Sequence, residues 1–183
     1  MTSRARWAAL LWASSVQFFI AQIAVALTWA TPYDLSTRYI SDLGNTACAP
    51  YPHDSLILVC SPAHAWMNAS FVLLGLTMTT GSMLISDAFR RRWSRAVGLG
   101  LIALAGVGVF LVGLYPENEN IGMHTLGAGM NFICGNVGMI VLGLSGVVWP
   151  DNLPFDRATT GLGLLGLLGT ALFVSGAFLG IGP

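Results

Sequence analysis

Lysine is absent from this chain, and charge of either sign is scarce. Eight arginines balance eight carboxylates among 183 residues, so charged side chains make up 9% and the formal net charge is zero. An average soluble domain carries about 25% charged residues. A water-soluble fold of this size cannot cover its surface with so few, which excludes a soluble enzyme and a disordered chain. Without a basic excess a nucleic-acid binder is excluded as well. Cysteine and histidine number three each, and no CxxC, HExxH or HxxxH spacing occurs among them. What remains is apolar: 55% hydrophobic residues and 22 glycines. That balance is left to an integral membrane protein.

A bilayer core needs about 20 mostly apolar residues per helix. Five stretches qualify, at about 7–30, 62–86, 96–115, 121–148 and 158–181. They are too long and too uniformly apolar for barrel strands, and lipid offers no partner to an exposed backbone group. The expected fold is therefore all-α: one polytopic transmembrane bundle of five helices over residues 1–183. The first run follows Arg4 and Arg6 and contains a plausible cleavage site at Ala24-Val25-Ala26. It is too long for a signal-peptide core and reads as an uncleaved helix.

Arginine placement gives the orientation. Arg4, Arg6, Arg90, Arg91, Arg92, Arg95 and Arg157 all fall on one side if the helices alternate, and Arg38 alone falls on the other. The N-terminus is expected in the cytoplasm, with the loops 31–61 and 116–120 outside. Cys48 and Cys60 share the first of these loops, where an oxidising compartment favours a disulfide. Such a bridge closes a 13-residue ring and stabilises by about 3 kcal/mol on the chain-entropy model. Two free thiols are the alternative. Cys134 reads as a small buried apolar residue.

The outer loop carries its own signals. Thr31-Pro32-Tyr33-Asp34 matches a capping box with proline at the first helical position. Leu35, Tyr39, Asp42 and Leu43 then recur at helical spacing, and Gly44-Asn45 reads as a stop. The spacing predicts a short interfacial helix over 32–43 with Asp42 on its apolar face. Ser61-Pro62 reads as an N-cap and first-turn proline of the second membrane helix, with His64 one turn in and Asn68 below it at i+4. Pro116-Glu117-Asn118-Glu119-Asn120 reads as an acidic turn at a helix N-terminus, where the dipole favours carboxylates. His124 follows just inside, and Asn131 lies two turns deeper. Asn68-Ala69-Ser70 matches a glycosylation sequon but falls inside a span.

These polar groups all fall in one leaflet. Asp42, His64, Asn68, Glu117, His124 and Asn131 converge if the helices pack, and ionisable residues at membrane depth are functional candidates. The competing reading is that they tie helices together, which suits Asn68, Asn131, Asn136, Gln17 and Gln22 best. Gly127, Asn131 and Gly135 form a small-residue row, and Gly176 and Gly180 form a GxxxG pair; both permit close helix approach within one chain or between chains.

The run Tyr39-Ile40-Ser41-Asp42-Leu43-Gly44-Asn45, then Cys60-Ser61-Pro62 and Asn68, resembles the bacterial membrane family called domain of unknown function 998. Gly113-Leu114-Tyr115-Pro116 followed by His124 is similar to it as well, so the resemblance covers most of residues 30–148. The lysine-free, glycine-rich composition resembles the actinobacterial members. The resemblance implies a compact helical bundle in the bacterial plasma membrane and no particular activity. It implies six helices where five are found, with a sixth beyond these residues or supplied by a partner.

Two functional classes follow. One is a non-catalytic protein that binds a lipid or apolar ligand, or serves as a subunit of a larger complex, with membrane lipids and a second membrane chain as partners and no cofactor. The other is a membrane-embedded enzyme acting on lipid, with Asp42 orienting a histidine and His64 or His124 as general base. A zinc variant would use Asp42, His64 and His124 as ligands. Asn68, Glu117 and Asn131 are the candidate ligand-binding residues. A transporter fits less well, because neither interrupted helices in matching halves nor a chain of mid-membrane charges is present.

Overall fold

A computed structural model describes residues 2–29, 32–35, 37–51, 54–85, 89, 92–146 and 153–179, without the side chains of 51, 54–57, 92, 153–154 and 177–179. Thr31, Arg90, Arg91 and Gly180, all singled out by the sequence, lie outside the described residues. Among the described residues, five helices are long and apolar enough to cross a membrane: Ser3–Ala26, His64–Leu84, Trp93–Leu114, Ile121–Gly143 and Phe155–Gly176. The all-α polytopic bundle expected from hydropathy is the fold observed.

The first span is two pieces, α1 (Ser3–Ala13) and α2 (Val16–Ala26). The Ser14-Ser15 pair tightens the chain between them. Gln17 and Phe18 donate to carbonyls three residues back, and the Ser14 hydroxyl takes the Leu11 carbonyl at 2.6 Å. Serine hydroxyls that occupy backbone acceptors in this way bend helices. Then come α3 (His64–Leu84) and α4 (Arg92–Leu114). The fourth span is α5 (Ile121–Gly129), a π segment (Met130–Gly135) and α6 (Asn136–Gly143); the last is α7 (Leu153–Leu179).

The central helix is α4, which touches α3, α5, the π segment and α6. Its glycines let it serve so many neighbours. A Cβ on Gly75 of α3 would stand 2.5 Å from the Gly106 carbonyl of α4, and one on Gly127 of α5 would stand 2.5 Å from that of Gly108. Both contacts are backbone against backbone, the close approach that small residues permit in membranes. Gln17 and Ser70 tie α2 to α3 by reciprocal bonds, Gln17 Nε2 to the Ser70 carbonyl at 3.1 Å and Ser70 Oγ to Gln17 Oε1 at 2.8 Å. At the periphery, α7 has only 6% of its span buried.

One end of the bundle carries a cap that hydropathy did not foresee. The predicted interfacial helix over 32–43 does not form. Leu35 is exposed, Tyr39 is extended (φ −80°, ψ 145°), and among the described residues of this segment only Ile40–Gly44 is helical, as a 3₁₀ turn. Next follows an antiparallel hairpin, β1 (Ala49–Tyr51) and β2 (Asp54–Val59), with Ala49 opposite Val59. The Cys48–Cys60 disulfide closes its base, and Leu43 and Val59 bury beneath it against Trp29, Met67 and Phe71.

Candidate functional site

The cap is joined to the bundle by polar bonds between three segments: the 3₁₀ turn, the start of α3 and the α4–α5 loop. The Asp42 side chain is fully buried. Its Oδ2 accepts the Tyr39 N–H at 3.2 Å, and its own N–H donates to the Tyr39 carbonyl at 3.0 Å. This reciprocal pair starts the turn as a capping box does, so the carboxylate that hydropathy placed on a helix face instead initiates a turn. A 3₁₀ turn repeats every three residues, which brings Asn45 onto the face of Asp42.

Glu117 meets that face from the α4–α5 loop. Asn45 Nδ2 donates to Glu117 Oε1 at 3.3 Å, and His124 Nε2 stands 3.9 Å from Glu117 Oε2. The neighbour of the Asp42 carboxyl is the carboxyl of Glu117. Burial first, then that carboxyl, push Asp42 up to about 7, against a smaller opposing pull from the Tyr39 N–H and Arg38. Asp42 Oδ1 and Asn45 Oδ1 are buried without a hydrogen-bond partner. Around the rim, the Thr46 hydroxyl donates to Glu119 Oε1 at 2.7 Å and the Thr46 N–H to Asn118 Oδ1 at 3.2 Å.

His124 is buried on α5, whose first turn is capped by Asn120 Oδ1 accepting the Met123 N–H. Its Nδ1 lies 2.9 Å from the Tyr115 carbonyl. A carbonyl only accepts, so Nδ1 carries the proton and Nε2 faces Glu117. His64 is fixed the same way, with Nδ1 2.9 Å from the Ser61 carbonyl. The Ser61 hydroxyl does not cap α3, as the sequence suggested. It donates to the Leu43 carbonyl at 2.7 Å, and Ala63 occupies the cap position of α3. The carbonyls left over at the end of the 3₁₀ turn were the stronger claim on it. Asn68 likewise donates to the Gly44 carbonyl at 2.8 Å.

The structure thus brings Asp42, Glu117 and His124 together and adds Asn45. His64 and Asn68 hold the adjacent junction between α3 and the 3₁₀ turn. Asn131 sits deeper, in the π segment, with its backbone against Gly108. Asn45 was read only as a helix stop, and its pairing with Asp42 becomes visible only once the turn is known to be 3₁₀. Among the described residues, no group of three or more His, Cys, Asp and Glu side chains is arranged to hold a metal ion.

A second feature is an apolar groove of about 680 Å³ on the open side of α5 and the π segment, lined by Ile121, Thr125, Gly129, Ile133 and Cys134 among others. Cys134 is half-buried there as a free thiol. Asn136 turns the other way: a Cβ on Gly166 of α7 would run into its amide.

The family model described as "Protein of unknown function (DUF998)" matches residues 12–181. No curated protein and no solved structure matches the chain.

Proposed function

The chain belongs to this family of unknown function, and from that premise we propose a multi-pass protein of the bacterial plasma membrane that binds a lipid or another apolar ligand without transforming it, by itself or within a larger membrane complex. The apolar groove carries the reading. Its lining comes from α5 and the π segment, an irregularity often found at functional sites, and its upper end lies at the start of α5, beside the polar cap. A ligand with an apolar tail along Gly129 and Ile133 would hold its polar end at the level of Asn120 and Glu117. No cofactor is assigned to the groove. Gly75, Gly106, Gly108 and Gly127 are used inside the bundle, and a second chain would dock on the peripheral α7, where Gly161 and Gly169 have nothing within 4 Å of a built Cβ.

The orientation is proposed with the cap outside and the N-terminus in the cytoplasm. Arg4, Arg6, Arg95 and Arg157 sit at the end away from the cap, and Arg38 at the cap. A disulfide at the base of the hairpin suits an oxidising compartment.

The test is photo-crosslinking of the purified chain with a diazirine-bearing phospholipid. Gly129→Leu fills the groove without a backbone clash, since nothing lies within 4 Å of a Cβ there. Crosslinks mapping to 121–134 and falling several-fold in this variant are expected. Unchanged crosslinking would overturn the groove as the site.

A second reading rests on His124, whose Nδ1 is held by the Tyr115 carbonyl while Nε2 faces Glu117. That is the arrangement acid–base chemistry on a lipid needs. Turnover of a membrane lipid that is lost in Glu117→Gln, with lipid binding retained, would favour the enzyme over the binder.

A further inference from the structure

We infer that Trp29 and Arg38, just past the cap end of α2, form a binding site for a phosphate group, that of a phospholipid headgroup in the adjoining leaflet. The site goes beyond the groove reading and does not depend on it, because the groove is built from α5 and the π segment and shares neither residue.

Two N–H groups without acceptors carry the argument. Trp29 is 8% exposed, and its Nε1 is buried with no hydrogen-bond partner. The Arg38 guanidinium lies over the same indole, with Cζ 5.5 Å from the ring centre, and its Nη1 is buried without a partner as well. Native proteins rarely leave buried donors unmatched, and here a charged one and a neutral one belong to two stacked side chains. The nearby carbonyls are in use. That of Leu58 takes Arg38 Nη2 at 3.3 Å, and that of Tyr39 takes the hydroxyl of Tyr33 at 2.6 Å, whose ring packs edge-on against Trp29. Asp42 lies within range of the Arg38 charge, yet Asp42 Oδ1 and Arg38 Nη1 each end without a partner and do not meet.

The chemistry and the position select the ligand. A guanidinium fork with an indole N–H close by offers several donors, which suits the several oxygens of a phosphate better than a spherical anion. Arg38 is the one arginine that the alternation of spans puts on the cap side, where it adds nothing to the inside-positive bias. Tryptophan beside the end of a span lies at headgroup level. Ile20 and Ile23 of α2 and Leu27 at its end are exposed at helical spacing, a track for an acyl chain that leads up to Trp29. Leu35 and Leu58 are exposed on the cap nearby. The Arg38 side chain hangs from Leu58 by a long bond, so Nη1 turns toward an arriving oxyanion at small cost.

The experiment uses the full chain, delipidated in a non-ionic detergent. Unfolding temperature and bound mass are followed with dihexanoyl-phosphatidylglycerol, dihexanoylglycerol, sodium phosphate or sodium chloride, the two salts at matched ionic strength. Phosphatidylglycerol is expected to raise the unfolding temperature and to stay bound in native mass spectra, where the uncharged diacylglycerol does neither. Arg38→Gln should weaken that binding at least about tenfold, since a charge-assisted bond is lost. Trp29→Phe keeps a ring and removes the N–H, and should weaken it about fivefold. Arg38→Lys keeps the charge and should recover part of the loss, which separates loss of the site from loss of the fold. Inorganic phosphate bound as tightly as the lipid would support the same donors with free phosphate as their ligand, and a lipid preference of about tenfold or more would support the headgroup. Responses to phosphate and phosphatidylglycerol no larger than those to chloride and diacylglycerol, or unchanged in Arg38→Gln, would overturn the inference.

Discussion

His124 Nε2 lies 3.9 Å from Glu117 Oε2, while its Nδ1 is committed to the Tyr115 carbonyl at 2.9 Å. The imidazole is therefore anchored at Tyr115, just past the end of α4, and stands beside the carboxylate to which Asn45 of the cap attaches. Replacing His124 with alanine removes a part-buried bond to the Tyr115 carbonyl together with the packing of a buried ring. The expected loss is about 1–3 kcal/mol, read by thermal unfolding in detergent. Glu119→Ala, which removes an exposed bond to Thr46, should cost under about 0.5 kcal/mol. Equal losses in the two variants would remove the anchoring role.

Asp42 sets a pH dependence. Its folded value of about 7 lies above its ordinary 3.8, through burial and the Glu117 carboxyl, with Tyr33 and Arg38 also within range of its charge. The folded state holds this proton more tightly than the unfolded chain does. The contribution is therefore full below about pH 4 and is lost as pH rises through about 7. Stability should fall across that window, and Asp42→Asn should flatten the fall. The same slope in both proteins would assign it to another group.

Reduction of Cys48–Cys60 should lower stability by about 3 kcal/mol, measured as a drop in unfolding temperature with a reductant. Cys48→Ser/Cys60→Ser should match the reduced protein and respond no further. A wild-type chain whose unfolding ignores the reductant, with both thiols verified by mass, would show that the hairpin holds without its bridge.

The glycines separate into two classes. Gly75→Val drives a side chain into the Gly106 carbonyl and should destabilise by more than about 2 kcal/mol, as overpacking does. Gly100→Ala meets nothing within 4 Å and should be neutral or stabilising by up to about 1 kcal/mol. Comparable losses at both positions would mean that α4 is not packed as described.

Orientation is tested with a membrane-impermeant maleimide. After mild reduction of intact cells, Cys48 should label from outside. Labelling only after the cells are broken would reverse the topology.

Hydropathy by itself determined the all-α fold and the five membrane-capable helices, because in lipid each helix must satisfy its own backbone. The disulfide was legible for a similarly simple reason: two cysteines share one loop on one side of the membrane. The positions of Asp42, Glu117 and His124 near one end could also be read, since depth follows from distance along a helix. The tertiary structure decided everything that depends on contacts between segments. It replaced a predicted helix over 32–43 by a 3₁₀ turn at Ile40–Gly44, because Asp42 bonds the Tyr39 N–H and the Leu43 and Gly44 carbonyls find Ser61, just ahead of α3, and Asn68 within it. Helical spacing read along one segment cannot register such partners. The pairing of Asp42 and Asn45 against Glu117 had the same origin: the turn that sets them side by side is tied to α3 through Ser61 and Asn68 and to the α4–α5 loop through Asn45.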